Sequence, residues 1–167
     1  MRKALFLDRD GVINRDTNYL YKVEDVEFID GIFDIAKCFY DKGYIIVVVT
    51  NQSGIARGYY DREDFYTISA YMEAEFKKRG ATIAKFYFCP HHPDITGACA
   101  CRKPKSGMFF DAIAEFAIDA QNSVMIGDNE SDMIAAENAG IARRYLLGKR
   151  RSDAATKVVG TLKEIAC

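Results

Sequence analysis

The chain reads as an α/β protein with a doubly wound parallel sheet, on three observations. Strand-like and helix-like segments alternate from one end to the other. Tyr44–Val49 is an uncharged, β-branched run, as expected of a central strand covered on both faces. Three apolar runs stop abruptly in polar residues: Asp8 and Asp10, Thr50–Gly54, and Gly127–Asp132. Strands end this way when they deliver side chains to the ligand-binding rim of an open sheet.

Taken in order, Ala4–Leu7 is the first strand. Ile32, Ile35, Ala36 and Phe39 follow at helical spacing, and Gly43 ends that helix. After the Tyr44–Val49 strand, Asp61–Arg79 is helical, with Phe65, Ile68, Met72 and Phe76 on one face and Gly80 as its stop. Ile83–Phe88 is the next strand. A polar loop rich in Pro, His and Cys then runs from Cys89 to Lys105. Met108–Phe116 is helical, Val124–Ile126 is a short strand, and Ser131–Ala139 is a helix stopped by Gly140. Arg144–Leu147 reads as the last strand and Thr161–Ile165 as a short final helix. Lys149–Lys157 has the weakest pattern and is expected to be mobile. There is no repeat, low-complexity segment or linker, so residues 1–167 are expected to form a single domain.

The bulk composition excludes several classes. A net charge of −1 gives no electrostatic reason to bind nucleic acid or an anionic membrane. No apolar run approaches the roughly 18–20 residues needed to cross a bilayer. The first residues enter a strand directly, with no signal-peptide core. A cytoplasmic monomer with reduced thiols is the expectation. Cys38 then reads as a small buried hydrophobe, and Cys167 as a free terminal thiol.

In a parallel sheet the three polar strand ends share one rim. Asp8, Asp10, Asp128 and Asp132 would meet there, with the Thr50 hydroxyl and Asn51 amide beside them. Carboxylates crowded in this way repel one another and call for a cation. Oxygen ligands, retained water and phosphate oxygens suit Mg²⁺. A carboxylate beside Mg²⁺ can attack phosphorus, and a second one two residues on can protonate the leaving alcohol and then activate water. Lys103 is the candidate for holding the transferred phosphoryl charge.

Cys89, His91, Cys99 and Cys101 form a compact set whose residue types suit tetrahedral zinc with no open position. His91 is preferred over His92 by its Cys-x-His spacing. Zinc would order an irregular loop that has no core of its own, and would present Arg102 and Lys103 to the phosphate. A catalytic Cys/His pair and a zinc-ribbon nucleic-acid reader are the competing readings.

Asp8-x-Asp10-Gly11, Thr50, Lys103 and Gly127-Asp128-x-x-x-Asp132, in this order along nearly the whole chain, resemble the four motifs of the haloacid dehalogenase superfamily. The resemblance implies Asp8 as nucleophile and Asp10 as general acid/base. Thr50 and Lys103 would hold the phosphoryl group, and Asp8, Asp10 and Asp128, with Asp132 as a further candidate, would hold Mg²⁺. Only one helix separates the first two motifs, so the molecule is expected to lack a cap domain and to be covered in part by the zinc loop.

The cysteine–histidine loop, together with Thr50–Gly58, resembles the heptose 1,7-bisphosphate 7-phosphatases, which supply heptose for bacterial surface polysaccharide. This implies a small phosphorylated sugar as substrate. Asp16, Thr17, Asn18, Tyr19, Thr50, Asn51, Gln52, Ser53, Arg102 and Lys103 would contact it. Arg57 and Arg102 could bind a second, non-reacting phosphate. Asn129 departs from the family, which often has a substrate-binding lysine at that position. Histidinol-phosphate phosphatases share the motifs and the loop and are the nearest rival. A phospho-accepting receiver domain is the rival of another class; it would hold its phosphate rather than turn it over.

Overall fold

The computed structural model describes residues 1–167. Its elements in chain order are β1 (Ala4–Leu7), α1 (Ile32–Asp41), β2 (Ile45–Asn51), α2 (Arg62–Lys78), β3 (Ile83–Cys89), the single turn α3 (Pro93–Thr96), α4 (Gly107–Phe116), β4 (Val124–Gly127), α5 (Glu130–Asn138), β5 (Arg143–Leu147) and β6 (Lys157–Val159). The sheet has strand order β3-β2-β1-β4-β5-β6, and every pairing is parallel. The chain starts at the centre, winds outward through β2 and β3, then returns to the other side of β1 with β4. The switch point, where ligands bind in open α/β sheets, therefore lies between β1 and β4.

The alternation of side chains along each strand builds the two halves of the core. Leu5, Leu7, Ile46, Val48, Val124 and Ile126 face α1 and α2. Ala4, Phe6, Val47, Val49 and Met125 face α4 and α5. Both faces of the central strands are covered, so these strands carry no polar alternation. On α1, Ile32, Ile35, Ala36 and Phe39 are the buried face. On α2, Asp61 and Asp64 form a reciprocal capping box: each carboxylate accepts from the other's backbone N–H, at 2.9 and 3.0 Å. No helix is long and apolar enough to cross a membrane.

Two expectations need correction. The weakly patterned stretch leads into an edge strand, β6, and is tied down ahead of it: Ser152 Oγ donates to Glu130 at 3.0 Å and Thr156 Oγ1 to the Arg144 carbonyl at 2.9 Å. Its anchors are side-chain and backbone partners elsewhere in the chain, so periodicity carries no trace of them. Cys38 and Cys167 are neither a buried hydrophobe nor a free thiol. They are joined as a disulfide, with Cα atoms 6.1 Å apart. Leu162 and Ile165 bury in the core on the α1 side and carry the end of the chain to Cys38, an approach across 129 residues of sequence.

Candidate active site

The ends of β1, β2 and β4 meet above the switch point around a cavity of ≈ 260 Å³. Asp8 follows β1 and is 8% exposed. Its backbone N–H pairs with the Ile126 carbonyl at 3.1 Å, which fixes it against β4. Asp128 follows β4, and Asp132 lies in the first turn of α5. Carboxylate oxygens of these three residues lie within 4.8 Å of one another.

Glycines make this approach possible. A Cβ at Gly11 would stand 1.9 Å from Asp128 Oδ2, and one at Gly127 would stand 2.5 Å from Asp132 Cβ. Gly11 also has φ +90°, in the region other residues avoid. The glycine after Asp10 therefore turns the chain and leaves room for the carboxylate opposite.

Lys103 is buried beneath the cluster. Its Nζ lies 3.0 Å from Asp8, 2.6 Å from Asp132 and 2.9 Å from the Val49 carbonyl. Burial works against its charge, but Asp132 and Asp8 outweigh it and raise its pKa, so it stays protonated. One cation does not balance three carboxylates. Burial, followed by the charge of Asp132, raises Asp8 well above the usual carboxylate range. The same causes push Asp128 up to about 6. This excess of oxygen ligands over positive charge fits a hard divalent ion.

Asp132 is also committed to the backbone. Its Oδ2 accepts from the N–H groups of Asp128 and Asn129, each at 3.1 Å. Asn129 in turn caps α5, accepting from Ser131 N–H at 3.2 Å. Asn129 is thus the N-cap of the helix supporting the carboxylate cluster.

Asp10 does not bring its carboxylate to this cluster. Oδ1 accepts from Arg9 Nε at 3.1 Å and from Asn14 Nδ2 at 3.0 Å. Oδ2 accepts from Arg9 Nη2 at 3.2 Å and from Gln52 Nε2 at 3.0 Å. Four donors hold the Asp10 side chain aside from the cluster, facing the cavity. Arg9, the residue between the two aspartates, was missed by sequence reasoning. It is 0% exposed, and its guanidinium lies 5.6 Å from the Phe65 ring centroid. The only signal in the sequence was a charged residue inside a motif whose flanks are buried.

Of the remaining expected residues, Asp16, Asn18, Tyr19, Thr50, Asn51, Gln52, Ser53 and Asn129 line the cavity. Tyr60 and Ser131 line it too and were not foreseen. Burial pushes the Tyr60 phenol up to about 12, so it is a neutral donor, and it donates to Gln52 Oε1. Asn18 and Tyr19 have φ 57° and 64°, a turn supported by Asp16 Oδ1 accepting from Asn18 N–H at 3.0 Å. Thr17, Arg57 and Arg102 do not line the cavity. Arg57 Nη2 is 3.0 Å from His92 Nε2, and its guanidinium sits 5.9 Å from the Tyr19 ring. Arg102 is half-buried and reaches the His91 carbonyl at 3.4 Å.

Beside the cavity, Cys89, His91, Cys99 and Cys101 bring one ligand atom each within 4.8 Å of the others. Cys89 Sγ is 3.6 Å from Cys99 Sγ and 3.5 Å from His91 Nδ1, which is 3.3 Å from Cys101 Sγ. A tetrahedron with metal–sulfur bonds of about 2.3 Å has edges of about 3.7 Å, so the set fits zinc. His92 lies outside it and caps α3, accepting from Asp94 N–H at 3.2 Å.

Residues 100–163 match the HAD-hydrolase-like family. The chain is 51% identical to the D-glycero-alpha-D-manno-heptose-1,7-bisphosphate 7-phosphatase of Campylobacter jejuni, over 90% of this chain and 86% of that protein. It is 43% identical to the D-glycero-beta-D-manno-heptose-1,7-bisphosphate 7-phosphatase of Haemophilus ducreyi, over 87% of this chain and 83% of that protein. The D,D-heptose 1,7-bisphosphate phosphatase of B. bronchiseptica, solved with magnesium and phosphate, superposes with TM-score 0.84 at 28% identity, covering 95% of this chain and 93% of that one.

Proposed function

The chain belongs to the heptose-1,7-bisphosphate 7-phosphatase family of HAD-like hydrolases, and from that premise we propose that it hydrolyses the 7-phosphate of D-glycero-D-manno-heptose 1,7-bisphosphate through an aspartyl-phosphate on Asp8. The observation that carries the reading is the Asp8 carboxylate at the switch point, 3.0 Å from a buried lysine and clustered with Asp128. Mg²⁺ held by Asp8 and Asp128 would cancel the repulsion between carboxylates and substrate phosphate. Asp132 serves behind them, through Lys103 and the two backbone N–H groups it accepts from.

An Asp8 oxygen attacks phosphorus, and the bond from phosphorus to the sugar oxygen breaks. Asp10 gives its proton to that oxygen as the sugar leaves. Asp10 then takes a proton from water, which attacks the aspartyl-phosphate, releasing orthophosphate and regenerating Asp8. Lys103 and the Thr50 hydroxyl hold the phosphoryl oxygens as charge develops. Asp16, Asn18, Tyr19, Ser53 and Asn129 face the sugar. Arg57, whose guanidinium lies 5.9 Å from the ring of cavity-lining Tyr19, would meet the distal phosphate. Arg102 and Thr17 stand outside the cavity, and Arg102 serves the loop that zinc would order.

The test is Mg²⁺-dependent phosphate release from both anomers of heptose 1,7-bisphosphate and from histidinol phosphate, with ³¹P NMR identifying which phosphate leaves. Loss of the 7-phosphate alone is the expected result. A preference for histidinol phosphate would overturn the substrate assignment. Stoichiometric labelling without turnover would point to a receiver domain instead.

A further inference from the structure

Thr50-Asn51-Gln52 would, by family resemblance, contact substrate, yet the latter two side chains are already engaged inside the protein. Asn51 clamps one residue of the zinc loop at two points. Its Nδ2 donates to the Lys103 carbonyl at 3.1 Å, and its Oδ1 accepts from the Lys103 N–H at 3.0 Å. Lys103 reaches this point along irregular chain, so the clamp ties its backbone to the end of β2.

Gln52 is 2% exposed. Its amide nitrogen donates to Asp10 Oδ2 at 3.0 Å and to Thr50 Oγ1 at 2.8 Å. Its amide oxygen accepts from Arg9 Nη2 at 3.2 Å and from the Tyr60 hydroxyl. A primary amide has two N–H donors and two lone pairs, so Gln52 has no capacity left for a substrate.

We propose that Asn51 and Gln52 are positioning residues, Asn51 acting through Lys103 and Gln52 through Asp10. The end of β2 thereby sets the spacing between the cation that takes the phosphoryl charge and the acid/base. The inference rests on the roles given above to Lys103 and Asp10, but not on which sugar is bound.

The experiment is a pair of crossed double-mutant cycles on kcat and KM. Misplacing a catalytic group by about 1 Å can cost on the order of 100-fold. Asn51→Ala and Gln52→Met are each expected to lower kcat by about 10- to 100-fold, with KM within about 3-fold of the parent. In a Lys103→Arg background the Asn51 effect should vanish, while in Asp10→Asn it should multiply in full. Gln52→Met should show the reverse.

A rise in KM of about 10-fold or more at unchanged kcat would identify substrate contacts and overturn the proposal. So would effects that multiply in all four combinations. If Gln52→Met fails to fold, Tyr60→Phe frees only the Gln52 oxygen, and the kcat loss should persist in Asp10⁺ protein and vanish in Asp10→Asn. The cycles run equally well on an aryl phosphate. Inertness toward heptose bisphosphate would therefore sink the substrate assignment and leave the positioning roles testable.

Discussion

Asp10 is wrapped by donors on both oxygens, while Asp8, two residues before it, is crowded by other carboxylates. One short segment thus sets two carboxylates in opposite environments. Asp10→Asn keeps the size of the side chain but removes the proton carrier. It is expected to lower kcat by about 10²- to 10⁴-fold while Mg²⁺ binding, followed by calorimetry, stays near the parent value. Gly11→Ala acts on the other side of the motif. Its methyl would enter the space of Asp128 Oδ2, so Mg²⁺ affinity should fall by about 10-fold or more, read from the Mg²⁺ dependence of phosphate release. The pairing of Asp8 with Asp10-Gly11 was plain in the residue order. Arg9 was not, because whether a charged side chain points into a site or into solvent depends on what packs around it.

Each element contributes through its end. β1 and β4 present carboxylates, β2 presents the Thr50–Gln52 segment, and α5 begins on Asn129 and Asp132, which cap it and steady Asp128. The Cys89–Lys105 loop, which zinc is proposed to order, supplies Lys103 from outside the sheet. Its ligand set comes from β3 and the irregular chain after it, so removing the metal should release the loop rather than the sheet. Chelation, or Cys101→Ser, is expected to lower kcat by at least about 10-fold with the circular dichroism of the sheet and helices retained; unchanged turnover in protein shown to be zinc-free would refute this. Strand and helix positions were legible within a residue or two wherever apolar periodicity was strong. β6 escaped because a three-residue edge strand carries too little pattern, and α3 because a single turn carries none.

Across the whole molecule, the carboxylate cluster couples stability to pH and metal. Asp8 and Asp128 have folded-state pKa values raised above their ordinary range by burial and by Asp132, to about 6 for Asp128. Over the interval from the ordinary carboxylate range up to that value, the folded state holds more protons than the unfolded state. The stability of metal-free protein should therefore fall as pH rises through about 6. Mg²⁺ competes with those protons, so the increase in Tm on adding Mg²⁺ should be larger at pH 7.5 than at pH 5. Thermal melts with and without Mg²⁺ check this, and a Mg²⁺ increment independent of pH would contradict the charge state assigned to the cluster.

The order of residues by itself determined the doubly wound sheet, the rim that carries the site, the Asp8–Asp10, Lys103 and Asp128 positions and the Cys89, His91, Cys99 and Cys101 cluster. These depend on local periodicity and on short spacings, which a linear sequence records. Only the tertiary structure decided that the Asp10 side chain turns away from the carboxylate cluster, that Asp132 pairs with Lys103 and two backbone N–H groups, that Asn51 clamps Lys103 and Gln52 is saturated inside the protein, and that Cys38 meets Cys167. Each of these outcomes depends on which distant groups fill a side chain's hydrogen-bonding or bonding capacity, and that is settled only when the chain is packed.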